Sequence, residues 1–204
     1  MTTTATFPAT LLDALFPVAS SSALANARSR PLHAIALTVL GSLALAVSAK
    51  IQFPFGPVPF TMQTYVVLVL GALLGKRLAG ASVMLYLAQG LAGLPVFAVG
   101  GGLAYLASPT LGYLVGFLPA AMLIGHFTER GFGRTPISSL LLMTAGHAVL
   151  FAFGMLWLAL AIGLEQAYWI GLYPFWGVSV VKTVLAAVSV ALAWKVLTPS
   201  SRRS

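Results

Sequence analysis

The chain has 204 residues, 59% of them hydrophobic and 7% charged, and its mean hydropathy is +0.99. Soluble domains carry about 25% charged residues, so this composition excludes one and indicates an integral membrane protein of about five to seven helices of ~20 residues. The net charge of +8 would suggest nucleic acid in a soluble protein. Here the bases stand at the ends of apolar stretches and report topology instead, so no nucleic-acid partner is expected.

Cysteine is absent, which rules out disulfides, thiolate nucleophiles and Cys-ligated metals. Three histidines and three acids show no metal-ligand spacing. The short alternating segments of an outer-membrane barrel are also missing.

In chain order, residues 1–30 form a Thr/Ser/Ala-rich stretch, expected to be a flexible cytoplasmic tail. Phe7, Leu11, Leu12, Leu15 and Phe16 could make a short surface helix within it. Span 1 covers roughly 32–49. Its small residues Ala34, Thr38, Ser42 and Ala46 recur every fourth position and let another helix approach closely. That row suits either packing inside the bundle or docking of a separate membrane partner. Residues 51–60, IQFPFGPVPF, hold three prolines and a glycine and cannot be helical.

Span 2 (about 61–75) ends at Lys76-Arg77, and span 3 (about 78–94) contains Tyr86 and Gln89. The stretch from Leu94 to Tyr113 follows. It is too apolar for a solvated loop and too rich in Gly and Pro for a regular helix. Irregular backbone at membrane depth is tolerated only where protein buries it or where it lines a cavity, so this stretch is expected to wall a small-molecule site. Span 4 (about 110–127), a polar turn with Glu129, Arg130 and Arg134, and a long span 5 (about 136–163) come next. An aromatic interfacial segment (165–175) leads to span 6 (about 176–197), and a basic tail (199–204) ends the chain.

Six spans place both termini on one side. Nine of the eleven bases then share that side, and only Lys50 and Lys182 fall on the other. The excess of Lys and Arg assigns the termini to the cytoplasm. All three Pro/Gly/aromatic connectors then lie on the outer face. The sequence therefore predicts an all-α multi-pass protein of the cytoplasmic membrane, with a six-helix domain over 31–198.

Lys50 ends span 1 and can snorkel to the interface. Lys182 sits six residues inside span 6, about 9 Å along the axis. A charge within the membrane points to function and to a partner. That partner is either Glu165 or a loop carbonyl within the protein, or an external anion such as a ligand carboxylate. Ser179 and Trp176 lie one and two turns before it and add a hydroxyl and an aromatic wall. Gln63 and Tyr86 need hydrogen-bond partners if buried, from a helix or a ligand. His147, in mid-span 5, reads as helix-to-helix glue ahead of a ligand or a proton carrier.

Gly71-Ala72-Leu73-Leu74-Gly75-Lys76-Arg77 is one residue too short between its glycines for a phosphate loop, and has Arg where Ser or Thr is needed. Gly100-Gly101-Gly102 lacks the βαβ setting of a dinucleotide site. No nucleophile–base set is visible, so neither an enzyme nor a cofactor is expected.

In order along the chain stand Pro57-Val58-Pro59-Phe60-Thr61-Met62-Gln63, Gly71 to Gly75, Tyr86-Leu87, Gly93-Leu94-Pro95-Val96-Phe97 and Pro109-Thr110-Leu111-Gly112-Tyr113-Leu114. This ordered set resembles the BioY family, the biotin-binding S components of energy-coupling factor transporters, from about Ala49 to the end of span 6. The resemblance implies a six-helix bundle that binds biotin near its outer face. It also implies partners, namely a transmembrane coupling protein and two cytoplasmic ATPases. The first helix would dock the coupling protein through small residues, here Ser42 and Ala46.

Near the sixth helix the family pattern Pro-Phe-x-Pro-Gly-Asp-x-x-Lys reads Pro174-Phe175-Trp176-Gly177-Val178-Ser179-Val180-Val181-Lys182 here. The Lys is kept. Ser179 stands where the Asp would be and can hydrogen-bond without acting as a carboxylate. The expected pocket draws on Lys182, Ser179, Trp176, Gly100, Gly101, Gly102, Tyr113, Gln63, Tyr86, Phe53 and Phe55. The rival reading is a self-sufficient carrier or facilitator for biotin or another small anionic vitamin.

Overall fold

The computed structural model describes residues 10–15, 29–53 and 58–197. Its helices are α1 (Leu11–Leu15), α2 (Ser29–Lys50), α3 (Gln63–Leu91), α4 (Leu111–Glu129), α5 (Pro136–Ile162), α6 (Leu164–Ala167) and α7 (Trp176–Leu197). A two-residue antiparallel pair, β1 (Gln52–Phe53) with β2 (Phe60–Thr61), closes the connector after α2. Five helical stretches, beginning at Pro31, Gln63, Leu111, Pro136 and Leu164, are long and apolar enough to cross a membrane. The protein is a multi-pass membrane protein.

The stretch α3 is two antiparallel arms, residues 63–74 and 76–91. Gln63 donates from its amide to the Tyr86 hydroxyl at 2.6 Å. A straight helix would hold residues 23 apart at about 35 Å, so the chain must reverse between them. It does so at Gly75, whose φ of 75° and ψ of 176° lie outside the helix in a region open to glycine and strained for other residues. The Lys76 backbone N–H, freed at the start of the second arm, donates to Glu129 at 2.8 Å. A carboxylate at a helix N-terminus satisfies an orphan donor and complements the dipole. The expected second and third spans thus correspond to the two arms of one of the five apolar stretches, joined at this corner.

The arms of α3 form the centre. They pack on α2, α4 and α7, while α5 packs on α4 and α7. Close approach follows from glycines at the crossings: a methyl at Gly71 would meet the Ala121 carbonyl at 2.8 Å, and one at Gly116 the Leu150 carbonyl at 3.0 Å. In α5, Thr135 caps the first turn reciprocally with Ser138, with Pro136 at the first helical position. The Gly75 corner, the α4–α5 turn and the end of α7 share one end of the bundle, since Glu129 holds Lys76 and Arg134 stacks 4.9 Å over Trp194. Lys76, Arg77, Arg130, Arg134 and Lys195 gather there.

Three expectations change or gain detail. The N-terminal stretch is not wholly a free tail: Thr10 and Asp13 cap α1 reciprocally, and Leu11 is buried beside Trp194 and Val190. The rest of the tail, with Arg28, and the basic residues Arg202 and Arg203 lie outside the described residues. Residues 164–175, expected as an aromatic interfacial connector, form short helical turns leading into α7, with Tyr168, Trp169 and Tyr173 exposed in a cluster of rings. Ser42 does not offer a docking face. It is 0% exposed and donates to the Gln89 amide oxygen at 2.7 Å. Ala46 is half-buried against the core, and the outward face of α2 carries Leu32, Ile35, Leu40, Leu43 and Val47. A membrane exterior is as apolar as the bundle interior, so small size alone could not tell which way the row pointed.

Candidate functional site

At the end of the bundle opposite the Gly75 corner lies a cavity of about 60 Å³, room for a few waters. Its floor comes from the α2–α3 connector and first turn of α3 (Val58, Thr61, Gln63, Thr64), its sides from α4 and α5 (Tyr113, Phe117, Phe151). Its far wall is Phe175, Ser179 and Lys182 of the α7 segment, and Ala98 and Tyr105 cover it from the 92–110 loop. The mixture is mostly apolar with a few placed polar groups, the usual composition of small-ligand sites. Phe175 stacks on Phe60 with centroids 4.2 Å apart and meets Phe151 edge-on at 6.5 Å.

Lys182 is 7% exposed. Its ammonium donates to the Thr61 carbonyl at 2.6 Å, which is one of the internal partners considered from the sequence. A carbonyl is neutral, however, and an ammonium carries three donors. Glu165 is exposed in α6, and Glu129 serves the opposite end of the bundle. Among the described residues no carboxylate bonds Lys182. A buried cation with only a neutral acceptor is costly.

Gln63 is fixed on both sides: its amide N–H₂ donates to Tyr86 and its amide oxygen accepts from Thr61 Oγ1 at 3.2 Å. Tyr86 therefore stands behind Gln63 as its support rather than in the cavity wall, edge-on to Phe97. Tyr113 lines the cavity with its ring, while its hydroxyl donates to the Gly171 carbonyl at 2.9 Å. His147 joins α5 to α7. Thr183 donates its hydroxyl proton to the Ser179 carbonyl, so the 2.7 Å contact with His147 Nδ1 has the imidazole as donor. The ring also stacks on the cavity-lining Phe151 at 5.3 Å.

The 92–110 loop is tied down from α2 and β1. Lys50 donates to the Phe97 carbonyl at 2.7 Å and Gln52 to the Ala98 carbonyl at 2.9 Å. Lys50, read as snorkelling, thus has a structural partner. Phe97 is buried between Tyr86 and Tyr105.

Several expected residues do not reach the cavity. Trp176 is 68% exposed. Successive three-residue steps each fall about 60° short of a full helical turn, so Trp176 lies about 120° around α7 from Lys182. Phe175 takes its place. Phe53 is 76% exposed, because alternation along β1 turns Gln52 inward and Phe53 outward. Gly100, Gly101 and Gly102 shape the loop instead: Gly100 pairs with Phe97, Gly102 donates to the Gly90 carbonyl at 2.7 Å, and Gly101 abuts the Leu94 carbonyl. Phe55 lies outside the described residues. Lys182, Ser179, Gln63 and Tyr113 do converge on the cavity. Thr61, Thr64, Tyr105 and Phe151 were missed. The only signal for the first two was their place in the Phe60-Thr61-Met62-Gln63-Thr64 run.

The BioY family model matches residues 19–199. A biotin transporter BioY from Rhizobium etli is 37% identical over 170 residues, covering 78% of this chain and 90% of the relative. A probable biotin transporter BioY from Pyrococcus horikoshii is 34% identical over 155 residues, covering 76% of this chain and 91% of the relative. The crystal structure of the S-component for biotin from an ECF-type ABC transporter superposes with a TM-score of 0.72 at 23% identity, over 82% of this chain and 94% of that one. The α3 reversal and the buried lysine of α7 are thus set in a bundle whose fold has been solved before, and by family match and relatives alike this chain belongs to the BioY family.

Proposed function

We propose that this chain is the biotin-binding membrane subunit of an ATP-driven uptake system, with its cavity facing the outside of the cell. The observation that carries the reading is Lys182: a buried ammonium whose acceptor here is one neutral carbonyl, in a cavity otherwise made of aromatic rings and uncharged polar groups. Biotin has an apolar bicycle with a ureido group and a carboxylate on an aliphatic chain. Its carboxylate neutralises Lys182, its ring system packs on Phe175 and Phe151, and its polar edge meets hydroxyls such as Ser179. The names of the relatives support the choice of biotin.

The gathering of bases at the Gly75 end supports cytoplasmic termini and an outward-facing cavity in the cell membrane. Biotin is larger than the present cavity, so binding displaces the loop wall that carries Ala98 and Tyr105. Uptake against a gradient then needs a transmembrane coupling protein and ATPase partners, a reading supported by the likeness to an S-component from an ECF-type ABC transporter.

The test is a titration of the purified chain in detergent with biotin, thiamine and riboflavin. Selective binding of biotin is expected, and equal or absent binding overturns the reading. Reconstitution of the chain alone in liposomes separates it from a self-sufficient carrier: accumulation or downhill flux of biotin without partners would favour the carrier.

A further inference from the structure

Hydroxyls on membrane helices normally bond a carbonyl one turn back. This chain follows that habit at four places: Ser48, Ser82, Thr144 and Thr183 each donate at 2.8 Å to the carbonyl three or four residues earlier. Thr64 does not. It lines the cavity, and its hydroxyl is buried with no hydrogen-bond partner. Among the described residues it is the only cavity-lining residue in that state.

The cause is local. Helix α3 begins at Gln63, so the residues three and four before Thr64 are not helical. Phe60 and Thr61 belong to β2, and the Thr61 carbonyl is already engaged by Lys182. The hydroxyl is thus denied the usual acceptor by the same backbone turn that anchors the lysine. Leaving a buried hydroxyl unpaired is unfavourable; Thr128 Oγ1 is unpaired as well, but of the two only Thr64 stands in the cavity wall.

We propose that Thr64 is a ligand-contact residue that, together with Lys182, forms a two-pronged anchor for the carboxylate of the bound vitamin. The inference rests on the biotin reading above and specifies which residues hold the charged end of the ligand. Lys182 holds the Thr61 carbonyl, Thr64 follows three residues later in the first turn of α3, and both residues line the same cavity. A carboxylate accepts from both at once. It supplies the negative charge that the lysine lacks and the acceptor that the threonine lacks. A change of χ1 from one staggered well to another re-aims the Thr64 hydroxyl without moving the backbone.

The experiment compares wild type, Thr64→Val and Thr64→Ser in detergent, titrated with biotin and with biotin methyl ester, which lacks the charge. Valine keeps the shape and removes the hydroxyl. Thr64→Val is expected to raise the Kd for biotin about 10- to 100-fold, while the ester changes by about threefold or less and Thr64→Ser stays near wild type. Removing an unpaired buried hydroxyl leaves the ligand-free melting temperature unchanged or raises it, so weaker binding accompanies undiminished stability. A residue that merely packs would lose both.

Unchanged biotin affinity in Thr64→Val overturns the proposal. So does an equal loss for acid and ester, or a loss in Thr64→Ser as large as in Thr64→Val. If wild type itself binds no biotin, the biotin reading fails and this assignment fails with it. A wild type that binds, beside an indifferent Thr64→Val, removes this assignment alone.

Discussion

Replacing Lys182 by methionine tests the site most directly. Methionine keeps the length and flexibility of the stem and removes the ammonium. The lysine is 7% exposed and donates to the Thr61 carbonyl at 2.6 Å. A charge-assisted hydrogen bond to a carboxylate contributes about 1.5–3 kcal/mol. Losing it weakens biotin binding by roughly 10- to 150-fold.

Stability of the ligand-free protein moves the other way or stays level. The substitution leaves the Thr61 carbonyl without that donor, at about 1–3 kcal/mol. It also removes a buried cation, whose effective burial penalty is several kcal/mol. The two offset each other, so Lys182→Met is expected to melt at or above the wild-type temperature. Isothermal titration with biotin and with its methyl ester, alongside thermal unfolding in the same detergent, reads both effects. The ester should bind wild type and variant alike. A biotin Kd for Lys182→Met within about threefold of wild type would refute the assignment of the ligand's negative charge to this lysine.

Other expectations follow from single contacts. Gly75→Ala places a side chain at φ 75° and brings its Cβ to 2.5 Å from Glu129 Oε1. The strain of about 1–3 kcal/mol adds to the lost cap on Lys76, about 0.5–2 kcal/mol, and thermal unfolding should show it far less stable than Gly163→Ala, which has positive φ but open space. Lys50→Ala releases the Phe97 carbonyl and should speed both association and dissociation of biotin in stopped-flow measurements, with a smaller change in Kd. Ser42→Leu inserts bulk at a fully buried position and breaks the bond to Gln89. It should destabilise the fold by about 2–4 kcal/mol, read as a lower melting temperature of the isolated chain. If that variant instead melts like wild type, the inward assignment of the small-residue row is wrong.

What the sequence determined by itself was axial. Apolar length, Gly/Pro breaks and the side on which bases fall are local properties, and they located the long apolar helices, the turn near Lys76-Arg77 and the isolation of Lys182. They also made the Leu94–Tyr113 stretch stand out as irregular backbone that had to be packed.

What only the tertiary structure decided was rotational. In water, polarity marks the outer face of a helix. In a bilayer both faces are apolar, so nothing in α2 or α7 said that Ser42 points inward at Gln89 or that Trp176 points outward. The same holds for long-range bonds. Lys50 and Gln52 hold carbonyls more than forty residues away, a relation that no periodicity encodes. Thr64 is the clearest case. Its residue type is ordinary, and it became a candidate contact only because the bundle brings Lys182 onto the Thr61 carbonyl just before α3 begins, leaving the hydroxyl beside the cavity without an acceptor of its own.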